Sequence, residues 1–241
     1  MQKQLDQLLS KLKAAFGERL MSVVLYGSGA TGELHEIYSD LNILCVLSEI
    51  TPNELAASEP IFRWWRELGS PSPLLMTPGE IRTSSDSFPI EFHDIKEKNR
   101  LLHGADFMAA VVIDDRYYRA QVEYQLRAKL LRLRQKAGGL YTRKDLLLRL
   151  LAESVSTFCV LFRHALRLAG GQPDWKKHEI VAQAHAKFGI APEAFHKLLD
   201  LREGKVKDKD VDSHALLGPY LYQIEEVIRV VDQLGRQETD H

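Results

Sequence analysis

Hydrophobic positions along the first hundred residues change period several times, and each change marks an element. Leu5, Leu8, Leu9, Leu12 and Phe16 recur at helical spacing, and Gly17 follows where a helix end favours glycine. Met21-Ser22-Val23-Val24-Leu25-Tyr26 is a short apolar run closed by Gly27, the pattern of a buried strand, and Leu41 to Leu47 is a second. Thr51-Pro52-Asn53-Glu54 predicts a helix start, with Thr51 as N-cap, Pro52 in the first position and Glu54 closing a capping box. That helix carries Leu55, Ile61, Phe62, Trp65 and Leu68 before Gly69. Leu74-Leu75-Met76 predicts a strand and Thr77-Pro78-Gly79 a turn. Phe88 to Ile95 reads as another strand, with Pro89 near its start where proline is tolerated, and Met108 to Ile113 as one more. The sum is a small α/β unit with a mixed sheet.

Beyond Asp114 the period is helical. Arg116 to Ala137 predicts a long helix broken by Gly138-Gly139, and Lys144 to Ala169 another ended by Gly170-Gly171. Shorter helices are expected over Lys177–Phe188 and Pro192–Leu201, and a last one over Ala215–Leu234. Arg202 to Ser213 is densely charged and reads as an exposed loop. The expected organisation is an α/β domain over 1–113 and an all-α bundle over 114–241, with a site in the cleft where they meet.

Composition narrows the partners. The 241 residues include 32 basic and 33 acidic side chains, a formal net charge of −1, so the basic excess typical of duplex-binding proteins is missing and nucleic acid is not an expected partner. Cys45 and Cys159 each sit in an apolar run, as small buried hydrophobes in a reducing compartment. No signal-peptide core and no membrane-length apolar stretch occurs, so a cytoplasmic, soluble protein without a membrane partner is expected. The composition is compatible with a homo-oligomer.

The candidate chemistry lies where the first two strands meet. Val24-Leu25-Tyr26-Gly27-Ser28 is followed, eleven residues on, by Asp40-Leu41-Asn42-Ile43. A strand ending in Gly-Ser lets backbone amides and a hydroxyl approach phosphate oxygens. Alternation along the second strand points Asp40 and Asn42 to one face, where two oxygen-bearing side chains suit a hard cation such as Mg²⁺.

This arrangement resembles the nucleotidyltransferase superfamily (the DNA polymerase β-like fold, including the aminoglycoside and minimal nucleotidyltransferases). Its pattern is Gly-Gly or Gly-Ser after a strand, then Asp-apolar-Asp/Glu-apolar at the start of the next. The resemblance implies Gly27 and Ser28 as nucleotide-binding residues, a nucleoside triphosphate as ligand, and Mg²⁺ or Mn²⁺ as cofactor. It implies transfer of a nucleoside monophosphate to a hydroxyl of a small molecule or protein, with pyrophosphate leaving. Asp40 and Asn42 would hold metal. A third carboxylate is expected from a later strand, for which Glu91 is chosen, flanked by Ile90 and Phe92; Asp94 takes its place if the register differs. Asn42 departs from the pattern, because an amide brings no charge where the family carries a second acid. That departure sustains an alternative, a catalytically weakened or inactive nucleotide-binding or scaffolding relative.

Other features favour structural readings. His93 reads as a structural histidine, and Trp64, Trp65 and Trp175 read as packing residues more than base-stacking ones. The basic stretch Arg127 to Arg149 could attract polyphosphate, but reads better as the wet face of a helix whose Leu126, Leu130 and Leu133 turn inward. An Arg-to-His spacing known from toxin–antitoxin helical domains recurs only at Arg236 to His241, at the chain end, and is read as chance.

Overall fold

The computed structural model describes residues 1–31 and 41–234. The chain divides into two units, Met1–Asp115 and Arg116–His241.

The first unit is built on four strands, β1 (Leu20–Tyr26), β2 (Asn42–Leu47), β3 (Leu74–Met76) and β4 (Asn99–Gly104), in the order β3-β2-β1-β4. β1 runs antiparallel to β2 and β4, and β2 runs parallel to β3, so the sheet is mixed. Helices cover both faces. On one face, α1 (Gln2–Phe16) and α2 (Pro52–Glu67) pack Leu5, Leu8, Leu12, Phe16, Ile61 and Trp65 onto Val23, Leu25, Ile43 and Cys45. Burying each such side chain stabilises the fold by about 1.5–3 kcal/mol. On the other face, α3 (Pro78–Thr83) and α4 (Pro89–Glu97) contribute Ile81, Phe92 and Ile95 to a core with Val24, Leu44, Val46 and Met76. The capping box predicted at the start of α2 is formed, with Thr51 and Glu54 closing it.

Three local expectations change in this unit. Phe88–Ile95 is not a strand but the N-cap and most of helix α4: Pro89 occupies the first turn, where its missing N–H costs nothing. Ile90, His93 and Phe92, Ile95 then turn inward at helical spacing. Met108–Ile113 is not a strand either; Met108 and Val111 are buried from an irregular segment, and the last strand is instead Asn99–Gly104. Thr77-Pro78-Gly79 is the start of α3, held by a second capping box between Thr77 and Glu80.

The second unit consists, among the described residues, of α5 (Tyr118–Leu140), α6 (Lys144–Leu168), α7 (Lys177–Phe188), α8 (Glu193–Arg202) and α9 (Ser213–Leu234). α6 packs against all four others. At its core Phe162 meets Phe195 with ring centroids 5.0 Å apart, and Phe195 meets Tyr220 at 4.7 Å. The predicted inward residues of α5, Leu126, Leu130 and Leu133, are buried. Gly138-Gly139 does not interrupt that helix: each glycine costs about 1 kcal/mol there, while buried Leu133 and Ala137 anchor the last turns. No helix among the described residues is long and apolar enough to cross a membrane.

Candidate nucleotide site

The turn after β1 depends on Gly27. Its φ of 76° lies in the left-handed region that favours glycine. Its N–H donates to the Lys98 carbonyl at 2.9 Å, and its carbonyl accepts from the Ala30 N–H at 3.0 Å. The chain continues into a 3₁₀ turn, Ser28–Thr31. Asn42 opens β2 directly opposite Tyr26, the last residue of β1. A Cβ placed on Gly27 would lie 3.3 Å from the Asn42 side-chain amide nitrogen, so that amide lies over the glycine turn. Asp40 lies outside the described residues.

Strand alternation settles which face the site occupies. Tyr26 and Val24 on β1, and Leu44 and Val46 on β2, belong to the core beneath α3 and α4. Asn42 shares the parity of Leu44 and Val46 and therefore projects to that same face. The end of α4 is tied to the turn from the same side. The Asn99 amide donates to the Ile95 carbonyl at 2.9 Å, Asn99 pairs with Tyr26, and the Lys98 carbonyl accepts from the Gly27 N–H.

Glu91 and Asp94 reach this region from α4. On a strand they would have faced opposite ways; on a helix, three residues apart, they are surface neighbours. Glu91 is exposed and Asp94 half-buried. Burial, then the Asp94 charge and then that of Glu91, push the Tyr26 phenol up to about 12. Tyr26 is therefore a neutral hydroxyl within the electrostatic reach of both carboxylates. The motif alone does not include it, although its place just before Gly27, on the parity of Asn42, is the signal that could have found it.

The donor set is made of oxygen and amide groups, which suits a hard cation such as Mg²⁺ better than a soft one. The C-terminal carbonyl end of α4 adds negative potential on that side. The described strands, however, carry no Asp or Glu at all, so no third carboxylate comes from a later strand among the described residues. His93 is buried, with Nε2 2.6 Å from Asp115 Oδ1, a contact that ties α4 to the segment after Val111. Trp65 is fully buried.

No protein-family model matches the chain, and no curated protein matches it in sequence. Among solved structures, the spectinomycin adenyltransferase AAD(9) from Enterococcus faecialis, determined with ATP and spectinomycin, matches with a TM-score of 0.62. The match covers 96% of this chain and 99% of that one at 14% identity. A mutant of the toxin–antitoxin complex MntA–HpeT gives a TM-score of 0.29 at 17% identity over 42% of this chain and 73% of that one, too low to carry an argument. From the mixed sheet through the helical region, then, the chain has the fold of that spectinomycin adenyltransferase.

Proposed function

We propose that this chain binds a nucleoside triphosphate with Mg²⁺ or Mn²⁺ at the turn after β1 and transfers its nucleoside monophosphate to a hydroxyl of a small molecule or protein. The observation that carries the reading is the juxtaposition of the positive-φ Gly27 with the Asn42 amide, at adjoining ends of β1 and β2. It is supported by a fold shared with an enzyme solved with ATP.

In this reading Gly27 and Ser28 shape the cradle for the phosphates. Asp40 and Asn42 hold the cation, Asn42 from the start of β2, and α4 supplies Glu91 and Asp94. Asp94 is the stronger candidate of the two, because it acts more strongly on Tyr26. When bound, the cation neutralises phosphate charge. The neutral Tyr26 hydroxyl can donate to an oxygen in the same region. Such a site works by positioning and electrostatics.

One observation favours a second reading, a nucleotide-binding relative with weak or no turnover. Asn42 replaces a charge, and the described strands supply no other acid. Thermal unfolding of the chain with each of the four common nucleoside triphosphates, with and without Mg²⁺ or Mn²⁺, tests binding, since a ligand of the native state raises its stability by mass action. Pyrophosphate release in the same mixtures separates the readings. Cation-dependent stabilisation is expected; its absence with every triphosphate contradicts both.

A further inference from the structure

The helical unit contains a second, chemically different constellation. His178 lies in the first turn of α7, while His196 and Asp200 stand one turn apart on α8, and Glu203 follows at its end. The three ligand atoms offered by His178, Asp200 and Glu203 lie within 4.8 Å of one another. His178 Nε2 is 3.3 Å from Glu203 Oε1 and 3.6 Å from Asp200 Oδ1. That nitrogen is shielded from solvent and makes no well-aligned hydrogen bond. Ligands about 2.0–2.2 Å from a tetrahedral metal stand about 3.4 Å from each other, so these separations match the edges of a coordination polyhedron.

The other side of the imidazole completes the argument. His178 Nδ1 lies 2.9 Å from His196 Nδ1, and the two ring planes are within 7° of parallel with centroids 5.1 Å apart. Two ring nitrogens this close need one donor and one acceptor. With Nδ1–H of His178 donating to His196, Nε2 of His178 is left with a free lone pair directed at the carboxylates. Metal-ligating histidines characteristically give their second N–H to such a partner, which fixes tautomer and ring orientation. Lys205 now lies at the carboxylates, with Nζ 2.5 Å from Glu203 Oε2 and 3.7 Å from Asp200 Oδ1. Its long side chain is mostly exposed, at 60%, and can swing into water.

We propose that His178, Asp200 and Glu203 form a binding site for a borderline divalent cation of the Zn²⁺ class, with His196 as the positioning residue behind His178. One imidazole and two carboxylates select Zn²⁺ over Mg²⁺, which prefers an all-oxygen shell. Binding displaces the Lys205 ammonium from the carboxylates and leaves a fourth position for water. The metal pins the start of α7 to the end of α8 and to the turn that follows. This site shares no residue with the nucleotide site and does not depend on it.

The test is a titration of the chelator-stripped full chain with Co²⁺, read by visible d–d absorption, and with Zn²⁺ in competition. The wild type saturates at a single site with a tetrahedral Co²⁺ spectrum. His178→Gln removes that spectrum, and His196→Ala weakens binding by about tenfold or more. Lys205→Ala, an exposed change that leaves every ligand in place, tightens binding because the competing ammonium is gone. Should His178→Gln fail to fold, Asp200→Asn carries the same expectation of loss. Absence of saturable binding in both wild type and Lys205→Ala overturns the site, as does an undiminished spectrum in His178→Gln.

Discussion

Gly27 shows how a single residue holds the candidate site open. Any L side chain at its φ of 76° is strained, and a Cβ there presses on the Asn42 amide at 3.3 Å. Gly27→Ala should therefore cost about 1–2 kcal/mol in denaturant unfolding. Gly138 is the contrasting case, since it lies inside α5 with nothing within 4 Å of an added Cβ. Gly138→Ala should stabilise the chain by about 0.5–1 kcal/mol in the same assay. Glu54 works through charge. The hydrogen bond from the Thr51 hydroxyl, then the Thr51 backbone N–H and the Arg19 guanidinium 2.6 Å away, hold its carboxyl below the ordinary glutamate range. The pKa is lower in the folded state, so this contribution is complete above the ordinary value and is lost as pH falls through the depressed one. Acid unfolding of Glu54→Gln, compared with wild type, should show a flatter decline of stability over that acidic window.

At the scale of elements, α4 decides what reaches the site. In sequence it reads as a strand because Ile90, Phe92 and His93 sit close together, and a short apolar run does not separate a buried strand from a buried helix turn. The elements with their own punctuation are legible: Gly17 ends α1, Thr51-Pro52 opens α2, and Gly170 ends α6. β4 is hidden because Asn99, Arg100 and His103 give a half-exposed strand at the end of the sheet order a polar sequence, and its pairing with β1 comes from tertiary structure. The helix changes the chemistry expected of Glu91 and Asp94 from opposed to neighbouring. Asp94→Asn should reduce stabilisation by Mg²⁺ and nucleoside triphosphate more than Glu91→Gln, because Asp94 is half-buried and acts more strongly on Tyr26. Equal effects of the two changes in a thermal-shift titration would remove the preference for Asp94.

At the scale of the whole molecule, the division between sheet and helices is readable from the change of hydrophobic period near Asp114, and the fold match spans both parts. The glycine turn and the face of Asn42 are also readable, since both follow from strand period and a left-handed glycine. The face on which α4 covers the sheet is not, because it depends on packing between elements distant in sequence. Three of the eight basic residues from Arg127 to Arg149 form ion pairs: Arg127 lies 2.7 Å from Glu123, Arg149 2.8 Å from Glu153, and Arg134 pairs with Glu225. Surface pairs of this kind contribute about 0–1 kcal/mol each, while Leu126, Leu130 and Leu133 of α5 are buried, as expected of a helix with one wet face.

The central claim, a cation-assisted triphosphate site beside Gly27, turns on Asn42. The most direct measurement is a Mg²⁺ titration of thermal stability in the presence of ATP, run on wild type and on Asn42→Asp. An ionised ligand attracts Mg²⁺ far more than an amide dipole does. The account predicts that Asn42→Asp is saturated at lower Mg²⁺ and gains more stability from Mg²⁺ with ATP than the wild type. An Asn42→Asp protein that is less stable than wild type and indifferent to Mg²⁺ and ATP would contradict it, since a new carboxylate would then meet only repulsion and no cation.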